Sequence, residues 1–469
     1  MNELLSVPQR TLLACAHFDA HECRSCTLLP VATEDRLTRV QAEVAALLDP
    51  YADVRSADRT AASGTPAVHA TASGSYWGAP VRSPLAGFRN KAKMVVSGTA
   101  EAPVLGILDE DGAGVDLSDC PLYPAPVHAA LAALPGLIRR AQVPPYSVSR
   151  RRGQLKHVLV TASDAGELMV RFVLRDATPV ARIREHIGLL TEAVPGVRVV
   201  TANLQPEHSA VLEGPEEVHI WGEDALTVRQ GRIPLRVRPQ SFLQTNTAVA
   251  SQLYVQAAEW ADAAEAAFRA EAAVRADDDG FPAGGGELRT ESDRAEGSGL
   301  RAGGDEEEFV VWDLFCGVGG FALHCARPRE EHSSRRVIGV EVSAEAIASA
   351  QATAAQLGLE AEFHAADATT FASGAGTGAG TAASASGPPL PRPDLLIVNP
   401  PRRGLGRGLA EWVQDSGIRE VIYSSCSPRT LARDLASMPA YRVTAARLLD
   451  MFPHTAHSEV VVRLRRTAG

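Results

Sequence analysis

Residues 311–321 read VWDLFCGVGGF. Residues 311–315 are apolar apart from Asp313, the pattern of a short strand buried on both faces. Gly317, Gly319 and Gly320 then predict a tight turn, and 321–326 starts a helix. A strand that runs through glycines into a helix lets the backbone approach a ligand closely at a helix N-terminus. A second acid-ended strand follows at 337–341, VIGVE, with Glu341 26 residues beyond Phe315. That is near the spacing at which a carboxylate reaches ribose hydroxyls. An ordinary Gly turn explains the glycines alone, but not the acid that follows them.

From residue 309 onward the pattern alternates strand and helix, as in a doubly wound α/β sheet. Strands are expected at 309–315, 337–341, 361–364, 394–398, 419–424, 442–449 and 458–465. Residues 394–404, DLLIVNPPRRG, end a buried strand in Asn399-Pro400-Pro401. Ligands sit at the carboxyl ends of strands in such sheets, so Asn399 is aimed at the crevice of the Gly loop. The prolines stiffen the turn and keep Asn399 extended. Residues 420–426, EVIYSSC, bring Cys426 to another strand end. A lone strand cysteine usually packs the core, but a thiolate at this place is the nucleophile needed for an electron-poor carbon. Residues 450–460, DMFPHTAHSEV, offer His454, His457 and Glu459 as candidate general bases, and spacing does not choose among them.

The first half is organised differently. Residues 11–30 contain C-x7-C-x2-C at Cys15, Cys23 and Cys26, and Cys120 is the only other cysteine before Cys316. Four thiols so spaced suit an iron–sulfur centre, a four-cysteine zinc site or unligated cysteines. Seven cysteines and no charged-then-apolar leader argue against a disulfide framework and secretion. GFRNKAKMVVSG at 87–98 alternates Arg89, Lys91 and Lys93 along a strand, and RRRGQLK at 150–156 is a second basic run. Either alone reads as a solvated face; together, beside the cysteines, they fit phosphate contacts. Residues 126–238 are expected to form a small central α+β domain, with strands at 157–161, 168–174 and 197–204 and a helix at 180–190. RPQSFLQTN at 238–246 leads into a helix at 248–264 with Thr245 or Asn246 as its N-cap.

Net charge is −10, which at first argues against a nucleic-acid partner. Residues 271–308 hold 12 acids and 4 bases, so the rest of the chain carries only −2. That stretch is expected to be a disordered insertion, with further insertions near 56–80 and 373–388. No run of eighteen apolar residues suggests a membrane span.

VWDLFCGVGGF, RPQSFLQTN, VNPPRRG, YSSC and DMFPHTAHSE, in this order, together resemble the bacterial RNA uracil-C5 methyltransferases. The nearest branch by resemblance is the 23S rRNA enzymes with an N-terminal four-cysteine [4Fe-4S] cluster. The resemblance runs from about Cys15 to the C-terminus. It implies an α/β fold with a C-terminal Rossmann-like S-adenosylmethionine (SAM) methyltransferase domain at 239–469, behind an iron–sulfur and RNA-binding segment at 1–125 and the central domain. It implies that Gln244, Phe315, Glu341 and Asn399 contact SAM, that Cys426 is the nucleophile and Glu459 the base, and that Cys15, Cys23, Cys26 and Cys120 hold the cluster. Phe242 and Phe315 are expected near the cofactor. The expected partner is 23S rRNA, met in the cytoplasm by a monomer, with no DNA or membrane partner. The 14 residues before Cys15 leave no room for the small RNA-binding β-barrel of related enzymes.

Four other readings compete. Nothing in the composition distinguishes a tRNA uracil-C5 methyltransferase, and the four-cysteine start without a barrel and DMFPHTAHSE favour the 23S rRNA branch by resemblance only. An NAD-dependent dehydrogenase fits GVGGFA at 317–322 but leaves NPPRRG and SSC unexplained. An amino-methyltransferase suits N-P-P, but those sites usually continue with an aromatic residue, where Arg402 stands, and need no thiolate. A non-catalytic RNA-binding iron–sulfur protein needs neither Cys426 nor Glu459.

Overall fold

The computed structural model describes residues 12–53, 75–279, 308–327, 335–374 and 390–467. Two seven-stranded sheets and one two-stranded hairpin carry the chain.

The first sheet is built from β1 (Lys91–Gly98), β2 (Pro103–Leu108), β3 (Gly114–Asp116), β4 (Leu155–Ala162), β5 (Leu168–Leu174), β6 (Val197–Leu204) and β7 (Glu216–Gly222). Its order is β3-β2-β1-β4-β5-β6-β7, antiparallel except for the β5–β6 pair. Strand alternation gives it two unlike faces. Ala92, Met94, Val96, Val158 and Phe172 pack in one core with Leu131 and Leu134 of helix Ala125–Arg140. The opposite face carries Lys91 and Lys93. Lys91 lies across from Thr161, Thr161 from Met169, and Met169 from Val199. Met169 and Val199 join the core of the C-terminal half, so this face is turned toward it. The sheet crosses residue 125, where the sequence suggested a boundary, because strand pairing joins segments on either side of the helix. The helix expected at 180–190 is two short pieces, Val180–Glu185 and Gly188–Ala193.

β8 (Leu226–Gln230) and β9 (Ile233–Val237) form the hairpin before helix Thr247–Asp279. Asn246 caps that helix, its side-chain oxygen accepting from the Val249 N–H at 3.3 Å. The helix continues well beyond 264, so residues 271–279 are helical, not an irregular insertion. The remainder, 280–307, lies outside the described residues. Similarly, 75–80 does not form a free loop. Trp77 bridges to Ala446, and Gly78 N–H donates to its carbonyl at 2.8 Å. Ser373 and Gly374 end a helix, and 375–389 lies outside the described residues.

The second sheet contains β10 (Phe309–Leu314), β11 (Arg335–Glu341), β12 (Glu362–Ala365), β13 (Leu395–Val398), β14 (Glu420–Ser425), β15 (Tyr441–Leu449) and β16 (Glu459–Arg466). The order is β12-β11-β10-β13-β14-β16-β15, parallel through β14 and antiparallel at β16 and β15. Strand order reverses between β10 and β13, which opens a crevice at their carboxyl ends. Every residue of β10 is buried. Phe309 and Val311 enter one core, while Val310, Trp312 and Leu314 enter the other, as a sheet covered on both faces requires. Among the described residues no helix is long and apolar enough to cross a membrane.

Candidate active site

A cavity of about 780 Å³ opens at the switch point between β10 and β13. Gln244, Phe315, Glu341, Asn399, Cys426 and Glu459 all line it, although they span more than two hundred residues of chain. Phe242 lines it too, and is 68% exposed at its rim.

The Gly-loop side is shaped by backbone. Phe315 has φ +65°, a conformation a bulky residue adopts only under constraint. Gly317 has φ +54° and open space where a Cβ would stand, facing the cavity it lines. A Cβ on Gly320 would lie 2.4 Å from the Tyr254 ring, so glycine there permits close helix packing. Glu341 accepts from Gly317 N–H at 3.3 Å and from Ser343 N–H at 3.0 Å, which ties the end of β11 to the loop. Asp313 is fully buried below, and burial pushes its carboxyl up to about 8. Its Oδ2 accepts from the Ala322 N–H at 2.9 Å, at the start of helix Gly320–Cys325. This cradle, acid and open floor fit a nucleoside-bearing ligand such as SAM.

The wall on the 244 side comes from another sheet. Asn90, next to β1, donates through its side-chain amide to the Gln244 carbonyl at 3.0 Å and to Thr247 Oγ1 at 2.8 Å. Gln230 donates to the same Gln244 carbonyl at 3.0 Å. Lys93 reaches the cavity from β1. Asn90 escaped the sequence reading because nothing local marks it. Only the approach of β1 to residues 244–247 gives it work.

Cys426 and Glu459 lie across the end of the antiparallel β14–β16 ladder. Ser424 opposes Val461 and Ser425 opposes Val460, so the next residues along the ladder are Cys426 and Glu459. Glu459 is 2% exposed, and burial pushes its carboxyl up to about 7. Ser424 Oγ donates to Glu459 Oε1 at 2.6 Å, which favours the carboxylate and works against that rise. Cys426 is half-buried. Burial raises its thiol first and the Glu459 charge adds to it, while the Arg402 guanidinium beside it acts in the opposite direction. Arg402 therefore belongs to this site, a role that NPPRRG did not reveal. A nucleophile with a nearby cation and a base poised near neutrality can add to and later leave an electron-poor ring.

The three candidate bases separate cleanly. His454 is buried away from the cavity, with Nε2 on the Leu85 carbonyl at 2.8 Å. His457 lines the cavity but is exposed. Only Glu459 combines burial, a raised carboxyl and a place on the ladder beside Cys426.

Cys15, Cys23, Cys26 and Cys120 gather beside the segment that leads into β1, where the Arg89 N–H donates to the Leu122 carbonyl at 2.9 Å and the Arg89 charge acts on Cys26 and Cys120. Burial pushes the Cys26 thiol up to about 11, and the charges of Cys120, Cys23 and Cys15 push the same way. Four thiols that repel one another as thiolates are a donor set chemically suited to a cation. Among the described residues, however, no group of three or more His, Cys, Asp or Glu is arranged to hold a metal ion.

Comparison with known proteins agrees with this geometry. A sequence model described as tRNA (Uracil-5-)-methyltransferase matches residues 390–467, and one described as Methyltransferase domain matches 305–375. The chain is 39% identical over 454 residues, 96% of its length and 99% of the relative's, to the 23S rRNA (uracil(747)-C(5))-methyltransferase RlmC of Escherichia coli strain E24377A. The RlmC of Shigella sonnei matches with the same identity and coverage. Among solved structures, the Pyrococcus abyssi tRNA (uracil-54, C5)-methyltransferase with S-adenosyl-L-homocysteine superimposes with a TM-score of 0.63 at 20% identity, covering 94% of this chain and 85% of that one. At that identity the likeness speaks for the fold.

Proposed function

As the chain belongs to the RNA uracil-C5 methyltransferase family, we propose that it methylates C5 of one uridine in 23S rRNA. The observation that carries this reading is the meeting of a thiol and a neutral-range carboxyl in the cavity that also holds the Gly-loop cradle.

Uracil C5 is too weak a nucleophile to take a methyl group unaided. Cys426 thiolate adds to C6, forming a C–S bond and driving the ring electrons into an enolate. SAM, for which Gln244, Phe315, Glu341 and Asn399 are the proposed contacts, would supply an electrophilic sulfonium methyl; the enolate carbon C5 takes it as the methyl–sulfur bond breaks, its electron pair staying on sulfur, so that S-adenosyl-L-homocysteine is the leaving group. Glu459 removes the proton from C5. The electron pair left behind restores the C5–C6 double bond and expels Cys426 as thiolate. Covalent addition thus splits one hard step into easier ones. The uridine must leave its stack to reach Cys426, as for other enzymes that act on bases. Lys93 at the cavity edge and the exposed arginines at 150–152 supply positive charge for the flanking phosphates.

The second part of the proposal is that Cys15, Cys23, Cys26 and Cys120 carry a [4Fe-4S] cluster. Their mutual electrostatic influence supports it, as does the resemblance of the cysteine spacing to the iron–sulfur branch. Methyl transfer moves no net electrons, so a structural staple is the role that fits. Anaerobic purification with absorbance, iron and sulfide analysis tests it; stoichiometric zinc without sulfide refutes it.

Mass mapping of methylated uridines in rRNA and tRNA, with and without the gene, tests the substrate. One 5-methyluridine should vanish from 23S rRNA. Its loss from tRNA instead would refute the assignment.

A further inference from the structure

The loop that delivers Glu459 is held by the opposite end of the chain. Residues 450–458 join β15 to β16, and the loop begins at Asp450, which is buried. Arg36 on helix Thr33–Leu48 is also buried, 414 residues away. Its Nη1 and Nη2 donate to Asp450 Oδ1 and Oδ2, both at 2.7 Å. The middle of the loop is pinned as well. Leu28, two residues after Cys26, donates its N–H to the His454 carbonyl at 2.8 Å. His454 adopts φ +65°, and its ring anchors to the Leu85 carbonyl. None of Arg36, Asp450 or His454 lines the cavity.

A buried ion pair is a poor source of cohesion, since desolvation offsets much of the attraction. What a bidentate pair supplies is a single geometry. Helix Thr33–Leu48 already packs into the core of the second sheet through Leu37, Val40, Val44 and Leu48. Arg36 is thus not required to attach the helix. It sets where Asp450, and so the loop, must lie.

We propose that Arg36, Asp450 and His454 are positioning residues that hold the 450–458 loop so that Glu459 faces Cys426, making the N-terminal segment part of the proton-removal half of the reaction. This rests on the reading of Glu459 as the base. With the loop loosened, Cys426 addition and methyl transfer still proceed, but proton removal from C5 slows. The enzyme should then stall as a covalent, already methylated RNA adduct.

The test uses the full-length protein, unmodified 23S rRNA transcript and methyl-labelled SAM. Arg36→Met, and the milder Asp450→Asn in case the first folds poorly, are compared with Glu459→Gln; SAM binding checks the fold. The expected result for each positioning variant is kcat lowered about tenfold or more with KM for SAM within about twofold. A denaturation-resistant, labelled protein–RNA adduct should accumulate, as in Glu459→Gln. The acid limb of the rate profile should move to lower pH as water reaches Glu459. Unchanged turnover, or slow turnover without adduct while Glu459→Gln accumulates it, overturns the positioning role. Absence of adduct in Glu459→Gln itself overturns the base assignment, and the positioning role with it.

Discussion

Ser424 and Glu459 share a hydrogen bond, Oγ to Oε1 at 2.6 Å, in the buried wall behind Cys426. The hydroxyl opposes the burial that keeps Glu459 protonated, so it tunes the pH at which the carboxylate becomes available.

In the proposed mechanism Glu459 must be ionised to take the C5 proton, and burial pushes its carboxyl up to about 7. Single-turnover product release should therefore fall about tenfold per pH unit well below pH 7 and level off above it. Ser424→Ala removes a bond to the charged form and should move this limb upward by about one unit. A limb that stays in place would remove Ser424 from the account.

The same raised carboxyl has a stability consequence of known sign. Its pKa rises on folding from 4.5 to about 7, so between those values the folded protein binds more protons than the unfolded chain. Stability is then full below 4.5 and declines as pH rises toward 7. Glu459→Gln removes that decline, and at pH 8 the variant should be more stable by up to about 3 kcal/mol. Denaturant unfolding of both proteins at pH 5 and pH 8 measures it; equal differences at the two pH values would contradict it.

Arg402 counters two influences that raise the Cys426 thiol, burial and the Glu459 charge. Arg402→Gln should slow covalent addition roughly tenfold at pH 7, with much of the rate regained at higher pH as the thiolate forms by itself. Trapping on 5-fluorouracil-containing RNA follows this step. Cys426→Ala should give no trapped adduct and no methylation. Full conversion of ordinary RNA by Cys426→Ala would end the covalent mechanism.

Asp434 holds the loop that carries Asn399 and Arg402. Its Oδ2 accepts from Leu405 N–H and from Tyr423 OH, both at 2.7 Å, and all three residues are buried. Tyr423→Phe leaves one bond and should cost about 1 kcal/mol. Asp434→Ala leaves a buried N–H and a hydroxyl unpaired and should cost about 3 kcal/mol, with SAM affinity weakened in parallel. Thermal unfolding and calorimetric SAM titration would show it, and a stability loss with unchanged SAM affinity would separate the loop from the cofactor site.

Much of the catalytic half was legible in the chain itself. Buried strands, glycine turns and acid or amide residues at strand ends are local patterns, and hydrophobic periodicity reports them directly. Each strand expected from 309 to 465 is present within two residues. Since ligands gather at carboxyl ends, placing Glu341, Asn399 and Cys426 on such ends was enough to bring them to one crevice. The choice of Glu459 over His454 and His457 was not available by that route. Burial and hydrogen-bond partners are sums over distant neighbours; they distinguish three titratable residues spaced within six positions, among which the family resemblance, and not the local pattern, had pointed to Glu459. The first sheet, which joins strands from both sides of residue 125, and the Arg36–Asp450 pair, closed across 414 residues, were equally hidden. A local pattern says what a segment can form. Only the packed chain decides which segments meet, and therefore which groups lose water and change their chemistry.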